Sequence, residues 1–352
     1  MFKMNARRCL VIIKYNDKDI SADLQQYLKN VSYTDNMSGA ADDLQLTLED
    51  KAGLWQSSWM PEKGATLDVS VKLINWQSIG EQVVRFGLFE IDEITSSGMP
   101  SEVQIKAVSV PDNNNLRGAE RTRSWEKAEL KRIADDIATE AGLTLYYDVK
   151  VYNPVIDRAE QSEQSDLSFL YQLCADHGLA LKICNNQLVI FDEADYEAAD
   201  AVAQLLKPGT IAAADGLKTL KHLKRYSLSS KVRDVYKACH VKYQEGKDKQ
   251  KIEATFTAPD KTDGKTLEVN EQVSSIADAE RLAKKRLREK NSAEVSGSFD
   301  IIGCPELAAA AVIQMSGFGA FDGKYILTQV RHEIGSGGYT TGVDMRRCLD
   351  GY

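Results

Sequence analysis

The chain lacks the residue patterns that most catalytic and metal sites require. Its four histidines have no metal-ligand spacing, and its six cysteines are scattered without a Cys-x-x-Cys pair. It contains no Gly-x-Ser-x-Gly elbow and no phosphate-binding loop, and its paired carboxylates are better explained as solvated surface. We therefore expect no catalytic residues, no metal and no cofactor. The thiols are those of a reduced protein made in the cytosol.

Long apolar runs and an excess of positive charge are also missing. The net charge of the 352 residues is −8, which argues against sequence-independent DNA binding, because phosphate contacts need surplus lysine and arginine. No stretch is long enough to span a membrane, and the apolar run after Arg8 is too short for a secretory signal. We expect no signal peptide and no membrane association. A hydrophobic share of 43% is typical of a folded protein of two or three domains.

Strands separated by glycine-rich turns dominate both ends of the chain. Residues 311–347 contain three extended runs, and their turns carry Gly317, Gly319, Gly323, Gly335, Gly337 and Gly338. Because tight turns need positive φ angles that a Cβ makes costly, this segment predicts a three-stranded antiparallel meander, with Asp322-Gly323 as one turn. Residues 64–110 repeat the pattern, with Phe89 at the position that Tyr325 holds in the later copy. The repeat predicts two similar β-domains.

The middle of the chain changes from the period of a strand to the period of a helix. One apolar stripe predicts a helix that ends at Gly142, and it consists of Leu130, Ile133, Ala134, Ile137 and Ala141. A second helix begins at the N-cap Ser165, and a third, short one is predicted over residues 194–206. Residues 111–124 form a polar linker before these elements.

The predicted fold class is therefore mainly β with an α+β insertion. Two similar β-barrel-like domains, at residues 1–110 and 214–352, flank a small α+β domain at residues 111–213. The last domain contains one helix, capped by Ser275, whose predicted buried stripe consists of Ile276, Ala279, Ala283 and Leu287. Its basic run at residues 281–290 is interpreted as a solvated face with Glu280–Lys284 and Lys285–Glu289 pairing at i,i+4; polyanion binding is the alternative.

Three segments together carry a family pattern. The first is the glycine-aromatic turn at residue 317 that leads through Lys324 and Tyr325 to His332; the others are residues 161–178 and 87–94. They resemble the phage late control protein D family of baseplate hubs in contractile injection machines, which includes the hub part of type VI secretion spike proteins. The candidate assembly or turn residues are Gly317, Phe318, Gly319, Asp322, Gly323, Lys324, Tyr325, Gly87 and Phe89.

The resemblance implies a structural role in a virion tail baseplate or tail-like particle that is assembled in the bacterial cytoplasm. It implies a homotrimer that forms a pseudo-sixfold collar and joins a hexameric tail tube protein to a trimeric central spike protein, among other baseplate subunits. The needle that follows the hub in type VI spikes is not in this sequence, so we expect a separate spike subunit. DNA or cargo would pass through a neutral or acidic bore without stable nucleic-acid binding, with residues 281–290 outside it.

Two other functions fit parts of the sequence. A baseplate-associated cell-wall hydrolase would need a carboxylate or zinc site in a cleft. An all-β carbohydrate-binding module is supported only by the tryptophan cluster of Trp55, Trp59 and Trp76, which we interpret as packing anchors around loops. Peptidoglycan cleavage would identify the hydrolase. Glycan binding that is lost in Trp59→Ala would identify the carbohydrate-binding module.

Overall fold

A computed structural model describes residues 6–62, 64–76, 80–110, 116–150, 153–210, 216–244, 251–273 and 275–352. Strands make up 51% of it and helices 16%, which confirms the predicted mainly β fold class. Over these ranges, no helix is long and apolar enough to cross a membrane.

The strands of the described ranges are numbered in chain order. They are β1 (Arg8–Tyr15), β2 (Lys18–Asp19), β3 (Leu28–Asn36), β4 (Asp43–Glu49), β5 (Thr66–Ile74), β6 (Glu81–Ser97), β7 (Glu102–Val108), β8 (Glu120–Glu129), β9 (Thr144–Asp148), β10 (Val155–Ser165), β11 (Ala180–Cys184), β12 (Gln187–Phe191), β13 (Ala203–Leu206), β14 (Thr219–Leu220), β15 (Leu223–Ser230), β16 (Tyr236–Tyr243), β17 (Ile252–Thr257), β18 (Lys265–Val269), β19 (Val295–Ile302), β20 (Val312–Ser316), β21 (Gly323–Gly335) and β22 (Gly338–Arg347).

The helices are fewer and mostly short. They are α1 (Ser21–Leu24), α2 (Leu130–Glu140), α3 (Asp166–Asp176), α4 (Glu193–Ala198) and α5 (Ile276–Asn291), with a single 3₁₀ turn at Gly319–Phe321. Two compact units share these elements. Unit 1 comprises Met1–Asp192, Ile302–Ala309 and Gln329–Gly342, and unit 2 comprises Glu193–Ile301, Ala310–Thr328 and Val343–Tyr352. Strands β21 and β22 are therefore each divided between the two units.

Unit 1 is built on an antiparallel sheet in the order β21–β3–β4–β7–β6–β5–β1. Its strands β4, β5 and β7 alternate strictly, so that Leu44, Leu46 and Leu48 of β4 are buried while the residues between them are partly exposed. The predicted meander of residues 64–110 is present as β5–β6–β7.

The part of unit 1 from β8 to β12, here called the α+β block, follows the sequence prediction in its helices. The α2 stripe is buried, Gly142 has a φ of 65° after the helix, and Ser165 Oγ accepts a hydrogen bond of 3.2 Å from Ser168 N at the start of α3. The linker prediction is wrong for residues 120–124, because they belong to β8 and pair with β10. Residues 111–115 of that linker lie outside the described residues.

Unit 2 contains the paired strands β14–β13–β20–β21, and its strand β19 pairs with both β15 and β22. A separate three-stranded sheet, β17–β16–β18, packs against α5. Ser275 Oγ accepts a hydrogen bond from Asp278 N, as the predicted cap requires. Ile276 is exposed, contrary to the predicted stripe, because it is the first helical residue and precedes the buried face.

The predicted third helix is only partly correct. Helix α4 ends at Ala198, and residues 203–206 form β13, which pairs in parallel with β20. This pairing buries Ala203 and Leu205, so long-range contacts outweigh local helix propensity there. The division into domains at residues 1–110, 111–213 and 214–352 stays a prediction.

Candidate functional site

The glycine-aromatic turn between β20 and β21 occupies residues 317–322 of unit 2. It is not the tight Asp-Gly turn that the sequence suggests, since the 3₁₀ turn intervenes and Gly323 is already the first residue of β21. Gly317 has a φ of 89°, and a Cβ there would lie only 3.0 Å from Thr210 Cβ. Phe318 N donates to Asp322 Oδ1 over 2.6 Å, which closes the turn on itself. The turn thus depends on both its first glycine and its aspartate.

Arg347, at the end of β22, holds the same turn from outside. Its Nη2 donates to Ala320 O at 2.8 Å and to Asp322 O at 3.2 Å. The guanidinium also lies 5.6 Å from the centre of the Tyr325 ring, and the Tyr325 hydroxyl donates to Phe321 O at 2.8 Å. Burial raises the pKa of Tyr325, so this hydroxyl keeps its proton as a donor. Sequence reasoning missed Arg347, because its contacts are 22 to 27 residues away.

The other predicted residues of this turn have simpler surroundings. Lys324 Nζ donates to Ala199 O at 2.8 Å, and Gly319 has a φ of 70° with open space around its Cβ position. Gly323 has a φ of 139°, and only Arg347 Nε comes within 4 Å of a Cβ placed there. Gly317 is therefore restricted by both conformation and space, whereas Gly319 and Gly323 are restricted by conformation alone.

Gly87 and Phe89 lie in β6 of unit 1, where they shape the core. The β5–β6 register pairs Val69 with Gly87 and Ser70 with Arg85, so Phe86 is the extra residue of a β-bulge. Gly87 has a φ of 144°, and a Cβ there would lie 3.1 Å from Asn185 Oδ1. The bulge directs both Phe86 and Phe89 onto Tyr33, with ring centroids 4.8 and 5.6 Å away. These positions are packing positions of unit 1.

His332 belongs to the same aromatic core. Its ring stacks on Phe86 at 5.2 Å and Tyr33 at 5.8 Å, and its Nδ1 lies 2.8 Å from the Tyr339 hydroxyl. Burial lowers the pKa of His332 to about 4, so the ring is neutral at physiological pH. His332 is therefore a packing residue of unit 1.

A buried cluster of three charges in unit 1 was not foreseen from the sequence. Lys182 Nζ of β11 forms ion pairs with Asp35 and, at 3.1 Å, with Asp42 Oδ1, and it donates to Asn36 O at 2.8 Å. Asp35 Oδ2 also accepts from Ala309 N. Burial raises the pKa of Asp42 to about 7; the charge of Lys182 opposes this shift, and the charge of Asp35 adds to it. The cluster ties the α+β block to the sheet within unit 1.

A surface groove of about 390 Å³ lies beside α2. Its lining includes Arg123, Trp125, Asp136 and Glu140. The Trp125 indole donates to Asp136, and Arg123 contacts Glu140 at 2.9 Å. Although burial acts to raise it, hydrogen bonds from Arg123 and Arg121 lower the pKa of Glu140. A general acid of a hydrolase needs the opposite shift, so Glu140 is arranged as an ion-pair partner of Arg121 and Arg123. Nowhere in the described ranges do three potential metal ligands cluster.

The tryptophans contact other aromatic residues around loops. Trp55 is buried, and Trp59 packs edge-on against Trp55 at 5.4 Å and Tyr27 at 5.6 Å. Trp76 Nε1 donates to Gly303 O at 2.6 Å.

Helix α5 has its expected Lys285–Glu289 pair at 3.8 Å, and Arg286 binds Glu271 at 2.8 Å.

Comparison with known proteins gives one family and a consistent fold. The model of the family described as phage tail baseplate hub (GPD) matches residues 93–338. The probable baseplate hub protein of Escherichia phage P2 is 27% identical over 205 residues, which is 58% of this chain and 50% of that protein. The corresponding protein of Escherichia phage 186 is 26% identical over 178 residues, 51% of this chain and 43% of that protein. The chain thus spans about half the length of these relatives.

Solved structures share the fold at low sequence identity. The 43 kDa tail protein of prophage MuSo2 from Shewanella oneidensis has a TM-score of 0.71 at 13% identity, covering 97% of this chain and 99% of that one. A tail protein from Neisseria meningitidis has a TM-score of 0.69 at 12% identity, covering 96% of both chains. A type VI secretion component from E. coli has a TM-score of 0.53 at 13% identity, covering 91% of this chain and 73% of that one.

Proposed function

Since the chain belongs to the phage tail baseplate hub family, we propose that it is a structural hub subunit of a phage tail or a phage-tail-like contractile particle. The observation that carries the proposal is the family match over residues 93–338, which includes the α+β block and all of β21. The fold shared with tail proteins over nearly the whole chain supports it.

The hub acts as a homotrimeric collar between a hexameric tail tube and a trimeric central spike. Each copy contributes two compact units that are rich in β-strands, so three copies present six units to the tube and three equivalent faces to the spike. Native mass spectrometry of the chain co-expressed with its tube and spike neighbours tests this arrangement. We expect a trimer, and a monomer in every mixture would contradict the collar.

The hub works through binding surfaces and not through catalysis. Support comes from the charged groups in the groove beside α2, where Arg123 and Arg121 engage Glu140, and Arg123 also binds Asp166 at 2.7 Å. Incubation of the purified chain with peptidoglycan should release no soluble fragments. Release that disappears in Glu140→Gln would establish the hydrolase instead.

The bore of the collar is neutral or acidic, so that DNA or cargo passes without adhering. Support comes from α5, whose Arg286 and Arg288 bind Glu271 and Glu197 of the same unit, so these charges are partly neutralised. The basic segment at residues 281–290 then lies outside the bore or at a subunit contact. Tight binding of duplex DNA by the assembled hub at physiological salt would contradict this account.

A further inference from the structure

The two compact units carry opposite net charges. Unit 1 has 21 lysines and arginines against 31 aspartates and glutamates, a net charge of −10. Unit 2 has 23 against 21, a net charge of +2. Within unit 2 the excess is concentrated in residues 218–294, where 19 basic residues face 12 acidic ones. The chain is thus acidic as a whole but has one strongly basic portion.

Much of this positive charge surrounds strand β15. We define the basic edge as β15 and the residues that flank it, with the exposed cations Lys221, Lys224, Arg225, Lys231 and Arg233. Arg225 forms an ion pair with Asp300. In the part of the chain that the structure describes, no carboxylate pairs with Lys221, Lys224 or Lys231. These ammonium groups are therefore available to a partner.

The basic edge also has the features of an incomplete sheet. Among the described strands, β15 pairs with β19 alone, so its outer backbone donors and acceptors face solvent. Two apolar side chains stand beside the cations: Tyr226 is 44% exposed and Val232 is 92% exposed. Tyr226 packs edge-on against Phe318 at 5.1 Å, which connects this surface to the glycine-aromatic turn. Apolar residues within a rim of charge are typical of protein interfaces.

We propose that the basic edge of one copy binds the acidic unit 1 of a second copy. A contact between different surfaces of identical chains is heterologous, and such contacts close into rings when the rotation between copies permits. The opposite charges of the two units favour this head-to-tail order and disfavour a contact between two basic edges. The inference rests on the proposed trimer and assigns one of the surfaces that forms it.

A charge-reversal experiment tests the assignment. The full chain carrying Lys221→Glu, Lys224→Glu and Lys231→Glu is compared with a control carrying Lys242→Glu, Lys251→Glu and Lys265→Glu. Both triples make the same charge change in unit 2, at lysines whose side chains reach solvent and, for the control, outside residues 281–290. Each is co-expressed with the spike subunit and analysed by sedimentation velocity over a concentration series. We expect the basic-edge triple to weaken self-association about tenfold or more, and the control to match the wild type.

Zero-length carboxylate–amine crosslinking of mixed light and ¹⁵N-labelled copies identifies the contact directly. We expect mixed-isotope links from Lys221, Lys224 or Lys231 to carboxylates of unit 1. If the wild type, the basic-edge triple and the control are equally trimeric, this inference fails while the proposed trimer stands. If the wild type is monomeric, both fail. Crosslinks from these lysines only to the spike subunit, or equal losses in both triples, would also overturn the assignment.

Discussion

Replacing Asp42 with asparagine should stabilise the protein at neutral and alkaline pH. In the buried cluster, Asp42 Oδ1 accepts from Asn36 N at 2.9 Å and pairs with Lys182 Nζ at 3.1 Å. An asparagine Oδ1 can accept both hydrogen bonds. Asparagine is uncharged, so in this variant the ammonium group of Lys182 faces one buried carboxylate, that of Asp35. In the wild type the same ammonium group must compensate two.

The sign of the effect follows from the raised pKa of Asp42. The folded-state pKa is about 7 and the ordinary value is 3.8, so between these values the folded chain binds more protons than the unfolded chain. The stability contributed by protonated Asp42 is therefore fully present below pH 3.8 and is lost as the pH rises through 7. At about 1.4 kcal/mol per pKa unit, the loss in the wild type is on the order of 2–4 kcal/mol.

Urea unfolding of the wild type and Asp42→Asn at pH 5, 6, 7 and 8, at constant ionic strength, measures this difference. Cys184 and Tyr33 also face the cluster, but burial raises the pKa of Cys184 to about 11 and raises that of Tyr33 as well, so neither titrates in this range. Asp92→Asn, at an exposed site, is the control. The advantage of Asp42→Asn should grow with pH. An advantage that is constant or shrinks would refute the reasoning.

Three further predictions concern the glycine-aromatic turn. Gly317→Ala should lower stability by about 2–4 kcal/mol in thermal unfolding, because the Cβ would collide with Thr210 in a strained conformation; an unchanged melting temperature would mean that the turn is not formed. Gly323→Val should cost about 1–3 kcal/mol through its φ of 139° alone, so a loss larger than that of Gly317→Ala would contradict the comparison. Arg347→Met should cost about 1–3 kcal/mol by removing donors from Ala320 O and Asp322 O, and hydrogen exchange should quicken in residues 317–322 and not in unit 1.

Local features were predictable from the sequence, and distant contacts were not. The α2 stripe and the caps at Ser165 and Ser275 follow from periodicity and side-chain chemistry within a few residues. The pairing of Lys182 with Asp35 joins residues 147 apart, and no short pattern marks it. Residues 203–206 show the same limit, because their strand exists through its pairing with β14 and β20, which lie elsewhere in the sequence.

For the candidate assembly residues, too, local conformation was predictable from the sequence and distant contacts were not. Positive φ angles at Gly317 and Gly323 were predictable, since glycine before an aromatic or after an aspartate marks a turn. The length of that turn was not predictable, because it depends on Arg347 and Thr210, which lie elsewhere in the sequence. Gly87 has a φ of 144°, and only the register of β5 shows that it belongs to a bulge.

The divided strands β21 and β22 determine when the chain can finish folding during synthesis. Strand β3 pairs with residues 329–335, so the sheet of unit 1 lacks one of its strands until the ribosome has made those residues. A fragment ending at Asp192 would leave that edge of β3 open, together with the Asp35 oxygen that Ala309 N contacts. Nascent chains must therefore remain incomplete and prone to association until residues 329–335 emerge, which favours assembly only of chains that have been translated at least that far.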